Sequence, residues 1–405
     1  MRADSQVSIK SNMGRAWPIT IIVVLAGICM PFNMGKAMFL GPVIMQVYGI
    51  GEAMLGLMIA SFYLLGAIVA FPAAAFIKKV GPRNTIFIAL GCSIVGNLIG
   101  ILAPGSIPAF IVGRVIEGGG FGLMGVVGVP TIAPWFPKER RGLPCGLWAA
   151  WVAIALAIAP ILFTALFNAT QNLMSVWYLN AALSVVVVVL MVAVYREPSH
   201  PFVDEEEKSG DTKMDYKAIF TNKAVIALAF VFCFGEGAFM GVQGFFNSYI
   251  ATEVQMPLMI GSVVLSAQSF IGAFWGPLSG KLSDKIGSRF KVLVFCQFAM
   301  LGYSALVFSV HSFGGLVVVL LLNCLTTGIT AMMWTSTTEV VPSKLIPGAT
   351  AALAFAQNVG MFIGSMGMGS VIQAIGYQMA SWCVVVPLWV ASILVTWIVL
   401  RKKIR

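Results

Sequence analysis

The chain has 405 residues, 59% of them hydrophobic and only 10% charged, with a mean hydropathy of +0.94. That composition excludes a soluble globular enzyme and a disordered chain, and it points to an integral membrane protein in a lipid bilayer. The net charge of +10 would suit nucleic acid, but the basic residues stand in short clusters between apolar runs, so charged loops are expected and nucleic-acid binding is not.

A membrane-spanning helix needs about 20 apolar residues. Apolar runs between charged or Gly/Pro breaks predict twelve, at 18–46, 54–77, 85–104, 108–134, 143–167, 175–195, 223–251, 259–282, 291–310, 313–341, 349–374 and 381–400. The first follows a polar, basic start (Arg2, Lys10, Arg15). It is longer than a signal-peptide apolar region and has no small-residue cleavage site, so it reads as an uncleaved helix. With both termini cytoplasmic, the inner loops hold Lys78, Lys79, Arg83, Lys138, Arg140, Arg141, Lys285 and Arg289, and the outer loops hold no Lys or Arg. That asymmetry sets the orientation, and a bacterial inner membrane is the expected location.

Between helices 6 and 7, "PFVDEEEKSGDTKMDYK" carries the acidic run Asp204 to Glu207 and reads as a solvated cytoplasmic linker over 196–222. It separates six helices in 1–195 from six in 223–405. The seven cysteines stand singly without CxxC spacing, and His200 and His311 have no neighbours at metal-ligand spacing. The stretch "GGGFG" at 118–122 has no Gly-Lys-Ser/Thr after it, which argues against an ATP site. No cofactor or metal is expected, and no nucleophile–base pair argues for an enzyme.

The two halves repeat one another. "GKAMFLG" (35–41) aligns with "GEGAFMG" (235–241), "IKKVGPRN" with "LSDKIGSRF", and the Pro137 to Gly142 turn with Pro342 to Gly348. Three matches in one order at offsets of 200 to 206 residues indicate an internal duplication, a recurrent plan among transporters.

These features together resemble the major facilitator superfamily. Its loop motif, Gly-x-x-x-Asp-Arg-x-Gly-Arg-Arg, stands in the second half as "GKLSDKIGSR", from Gly280 through Asp284, Lys285 and Gly287 to Arg289. The first half carries "AAFIKKVGPR", ending at Arg83, with Ala74 in place of the first glycine and Lys78 in place of the aspartate. "GRVIEGGGFG" matches the family's helix-4 pattern through Arg114, Glu117 and Gly118, while "APWFPKERRG" followed by "GLWAAW" is similar to the helix 4–5 junction of cyanate-permease-like organic-anion permeases. The resemblance implies an all-α membrane protein with twelve transmembrane helices in two pseudo-symmetric six-helix bundles. It also implies alternating access by a monomer, a small-molecule substrate and coupling to protons, and it makes the two loop motifs a conformational latch.

Charge inside the membrane costs a few kcal/mol and persists only when something offsets it. Lys36, Arg114, Glu117 and Glu236 lie well inside predicted helices, and Glu339 lies near an end, where a capping or latch role is expected. The resemblance places helices 1, 4, 7 and 10 around a central cavity. On that basis Lys36 and Arg114, with Asn33, Gln243, Asn247, Gln357 and Trp334, are expected to bind substrate, and Glu117 and Glu236 to carry protons. The expected substrate is a small organic carboxylate, and the alternative is a cationic or neutral drug-like compound exported against protons. A static reading stays open in which Lys36 and Arg114 merely pair with Glu117. Gln268, Asn323 and Asn358, with Trp148 and Trp151, are further polar or aromatic candidates.

Overall fold

A computed structural model describes residues 2–198, 202, 216–342, 345–401 and 404. His200 and the acidic run Asp204 to Glu207 of the expected linker lie outside the described residues, as do Lys402 and Lys403. Among the described residues, twelve helical spans are long and apolar enough to cross a membrane. Taking each as one element, they are α1 Gly14–Phe39, α2 Glu52–Ala70, α3 Pro82–Leu102, α4 Ile107–Trp135, α5 Gly142–Thr170, α6 Ser175–Val194, α7 Lys223–Thr252, α8 Leu258–Ile286, α9 Arg289–Ser309, α10 Phe313–Thr337, α11 Ile346–Ile375 and α12 Tyr377–Leu400.

Only helices satisfy every backbone group of a single segment in hydrocarbon, and the sequence punctuates them with the usual terminators. Ser106, Ser288 and Ser312 accept backbone N–H bonds at the starts of α4, α9 and α10, and Asn222 does so at α7. Gly287 closes α8 at φ +68°, a conformation that costs glycine little.

The ends differ from expectation where the backbone breaks. The first helix stops at Phe39 instead of 46, because Gly41-Pro42 starts a separate short helix over Gly41–Tyr48. The second stops at Ala70 instead of 77: Pro72 has no N–H to continue it, and Ala73–Val80 forms a helix of its own. The last begins at Tyr377, four residues early, and contains two wide turns at Ser381–Val385 and Thr396–Leu400.

Helix packing repeats with a shift of six. Where α1 packs on α5 and α6, α7 packs on α11 and α12; the pairs α2·α4, α3·α4 and α3·α6 recur as α8·α10, α9·α10 and α9·α12. The two bundles meet along α2·α11 and α5·α8, themselves a symmetric pair. Small residues permit these approaches: a Cβ on Gly118 of α4 would sit 1.6 Å from the Phe62 carbonyl oxygen of α2, so only glycine fits there. The outer surface is apolar, with Ile68, Leu102, Phe274 and Ile398 exposed, while most polar side chains of the spans are turned inward.

At the end of the bundle away from the chain termini, hydrogen bonds tie the bundles together. Asn247 Nδ2 of α7 donates to the Phe39 carbonyl of α1 at 2.8 Å, and Thr164 of α5 bonds Ser262 of α8 at 2.7 Å. The Ala53 N–H of α2 donates to Gln373 Oε1 of α11 at 3.0 Å.

Candidate functional site

Lys36, Arg114 and Glu117 come together as a completely buried triad inside the first bundle. Lys36 and Asn33 lie three residues apart on α1, Arg114 and Glu117 three apart on α4, and Ser93 and Asn97 four apart on α3, so each helix offers two polar groups on one face. Lys36 Nζ lies 2.6 Å from Glu117 Oε1 and donates to Asn97 Oδ1 at 2.6 Å. Arg114 Nη1 lies 3.0 Å from the other carboxylate oxygen and also bonds the Asn33 carbonyl, while Nη2 reaches the Met34 carbonyl at 3.1 Å. Both cations cover aromatic faces: Lys36 sits 4.7 Å from the Trp177 ring centroid and Arg114 4.5 Å from that of Phe62.

A relay of neutral bonds extends the triad. Asn97 donates to Asn33 Oδ1 at 2.7 Å, Asn33 to Ser93 at 2.6 Å, and Ser93 meets Ser184 of α6 at 2.7 Å. Four helices are thereby tied through one polar centre. A carboxylate with two cations balances most of the burial cost of all three groups, and two cations against one carboxylate leave a net charge of +1.

The second bundle builds the equivalent centre from amides. Asn323 of α10 donates to Gln268 Oε1 of α8 at 2.7 Å, Gln243 of α7 donates to the same oxygen at 3.2 Å, and Thr326 bonds Asn323 Oδ1 at 3.1 Å. Nearby, Gln297 of α9 donates to Ser392 and Thr396 of α12 at 2.9 and 3.0 Å.

Glu236 is buried on α7 and takes part in no ion pair among the described residues. It accepts from Gln357 of α11, whose Nε2 lies 3.1 Å from Oε1, and the Thr330 side chain of α10 also stands against it. Phe232, one turn before Glu236 on α7, meets Trp334 of α10 edge-on at 5.2 Å. Asn247 is drawn instead to the contact between bundles, and Trp148 stacks on Trp151 at 5.2 Å against Gly27 and Gly128. Of the loop residues, Gly280, Asp284, Lys285 and Gly287 form the last turns and cap of α8. Arg289 pairs with Glu339 at 2.5 Å, and Arg83 lies over the Phe87 ring at 5.5 Å. Asn97, Ser93, Ser184 and Trp177 escaped the sequence reading; Asn97, an amide in the middle of an apolar run, was the available signal.

Among the described residues, twelve spans in two repeated bundles, with Lys36, Arg114, Glu117 and Glu236 buried inside them, define a polytopic helical membrane protein. The family model of the Major Facilitator Superfamily matches residues 23–365, and the chain belongs to that superfamily of membrane transporters. Among curated relatives, the uncharacterized MFS-type transporter Rv1250 of Mycobacterium tuberculosis is 26% identical over 185 residues, which cover 46% of this chain and 31% of that protein. The uncharacterized MFS-type transporter YhcA of Bacillus subtilis is 25% identical over 143 residues, 35% of this chain and 27% of that protein. These two matches thus span less than a third of either relative. Multidrug resistance protein Stp of Mycobacterium tuberculosis is 22% identical over 418 aligned positions, 89% of this chain and 77% of Stp.

Proposed function

We propose that this transporter moves neutral or cationic amphipathic compounds against a proton gradient, with Glu236 as the proton-carrying group. The observation that carries this reading is the unequal compensation of the buried charges. Lys36 and Arg114 are both engaged by Glu117 and by backbone or amide oxygens, whereas Glu236 meets an amide and no cation among the described residues. A carboxylate with a neutral partner can take up and release a proton without breaking a salt bridge. The name of Stp, a multidrug resistance protein, supports the substrate class.

Residues 1–195 and 223–405 rock as two bodies around the buried charges, with both termini cytoplasmic in a bacterial inner membrane, as the basic loops favour. The protein works as a monomer. An organic-anion substrate is the second reading, and the net +1 of the triad favours it: an anion reaching that centre would complete its neutralisation.

The test is pH-gradient-driven flux in proteoliposomes for wild type, Glu236→Gln and Lys36→Met. Gradient-driven uptake of a lipophilic cation should vanish in Glu236→Gln while exchange without a gradient persists, and Lys36→Met should transport. Retained gradient coupling in Glu236→Gln would sink the proposal. Carboxylate flux that disappears only in Lys36→Met would establish the anion reading.

A further inference from the structure

A cleft of about 310 Å³ opens at the terminus-bearing end of the first bundle, between the start of α1 and the end of α6. It is lined by Arg15, Pro18, Ala193, Val194 and Arg196. Both arginines are exposed. Arg196 folds back on the end of α6, with Nη1 donating to the Tyr195 carbonyl at 2.8 Å and the Val192 carbonyl at 3.3 Å, so its guanidinium is anchored while other N–H groups stay available. Arg15 makes no hydrogen bond or ion pair with any described residue.

Among the described residues that line the cleft, the charged ones are the two arginines. Beside the cleft, Glu197 and Arg83 of α3 act in opposite senses on Tyr195. The buried Tyr195 phenol is pushed up to about 12, chiefly by burial, and adds no negative charge at neutral pH. Below the arginines the wall turns apolar and exposed: Ile21 and Leu25 on α1, and Val186, Val189 and Val192 on α6. A headgroup-sized basic cleft thus continues into a surface suited to an acyl chain, at the end of the spans that carries the chain termini.

We infer that Arg15 and Arg196 form a binding site for the phosphate of an anionic phospholipid whose acyl chain lies along α1 and α6. Free phosphate shares the charge, but it has no use for the apolar continuation. Basic pockets between spans at a membrane surface recognise anionic headgroups in this way. The site is separate from the buried triad and from Glu236, so it stands whether or not the transport proposal holds.

The experiment is lipid titration of the detergent-purified full chain, read by native mass spectrometry and by melting temperature, with phosphatidylglycerol, phosphatidylcholine and inorganic phosphate. Wild type should retain phosphatidylglycerol in preference to phosphatidylcholine. Arg15→Gln/Arg196→Gln should bind it at least about tenfold more weakly, given that each basic residue near the surface contributes comparably. Arg401→Gln, which removes a cation at the end of α12, should leave the preference intact. Equal retention of phosphatidylcholine, an unchanged double variant or an equal loss in Arg401→Gln would each overturn the inference. Protection by inorganic phosphate as strong as that by lipid would overturn it too, in favour of a soluble-anion site.

Discussion

The two bundles solve one problem with different chemistry. Each ties several helices through a buried polar centre on its first and fourth helices, yet the first uses Lys36, Arg114 and Glu117 and the second uses Gln243, Gln268 and Asn323. Glu117 and Asn323 stand at the same 206-residue offset as Gly142 and Gly348, and Lys36 and Glu236 at the 200-residue offset of their flanking glycines. The second bundle therefore carries its buried carboxylate on its first helix and not on its fourth, with no cation paired to it among the described residues. An ion triad holds helices in register because separating its members is costly in a medium of low dielectric constant. Glu236, bonded to the Gln357 amide, ties its helix through a neutral partner instead, and in the proposed function it is this group that switches while the triad holds.

The largest effect that would break this comparison is removal of the shared carboxylate. Glu117→Gln leaves Lys36 and Arg114 buried without compensation and should cost about 3–5 kcal/mol, seen as a steep fall in melting temperature and in yield of monodisperse protein. Lys36→Met leaves a matched Arg114–Glu117 pair and should cost clearly less; equal losses would show that charge matching is not what holds the four helices. In the second bundle, Gln268→Leu removes the acceptor shared by the Gln243 and Asn323 amides, leaving the Asn323 amide donor only its 3.3 Å bond to Gln243, and should cost about 1–3 kcal/mol, measured by the same melting curves. At the contact between bundles, Asn247→Ala removes one bond to the Phe39 carbonyl and should cost about 0.5–1.5 kcal/mol. Its cysteine cross-linking rate across α1 and α7 should rise, and an unchanged rate would mean that this bond does not restrain the halves. Smallest of all, Arg289→Ala removes a pair whose side chains are 24% and 28% exposed, and solvent screening should hold the loss below about 1 kcal/mol.

Much of this was legible in the chain. Long apolar runs declare spanning helices because the bilayer leaves few alternatives, and "GKAMFLG" against "GEGAFMG" betrayed the duplication. Charges such as Lys36 and Glu117 stood out because the membrane penalises them. What the pattern did not carry was partnership. Lys36 and Arg114 were expected to be ligands for a substrate anion, with pairing to Glu117 left open, since spacing along α4 fixes Arg114 and Glu117 on one face but says nothing of what α1 and α3 bring to that face. Ser93 and Ser184 were invisible because a lone serine in an apolar run is ordinary.

The sequence by itself determined the twelve spans, their repetition and the handful of ionisable groups inside them, because hydrophobic length and the cost of buried charge act locally on each segment. Only the tertiary structure decided which groups neutralise one another, because pairing at 2.6 Å depends on how four helices cross. The same packing kept every cation among the described residues out of ion-pairing reach of Glu236.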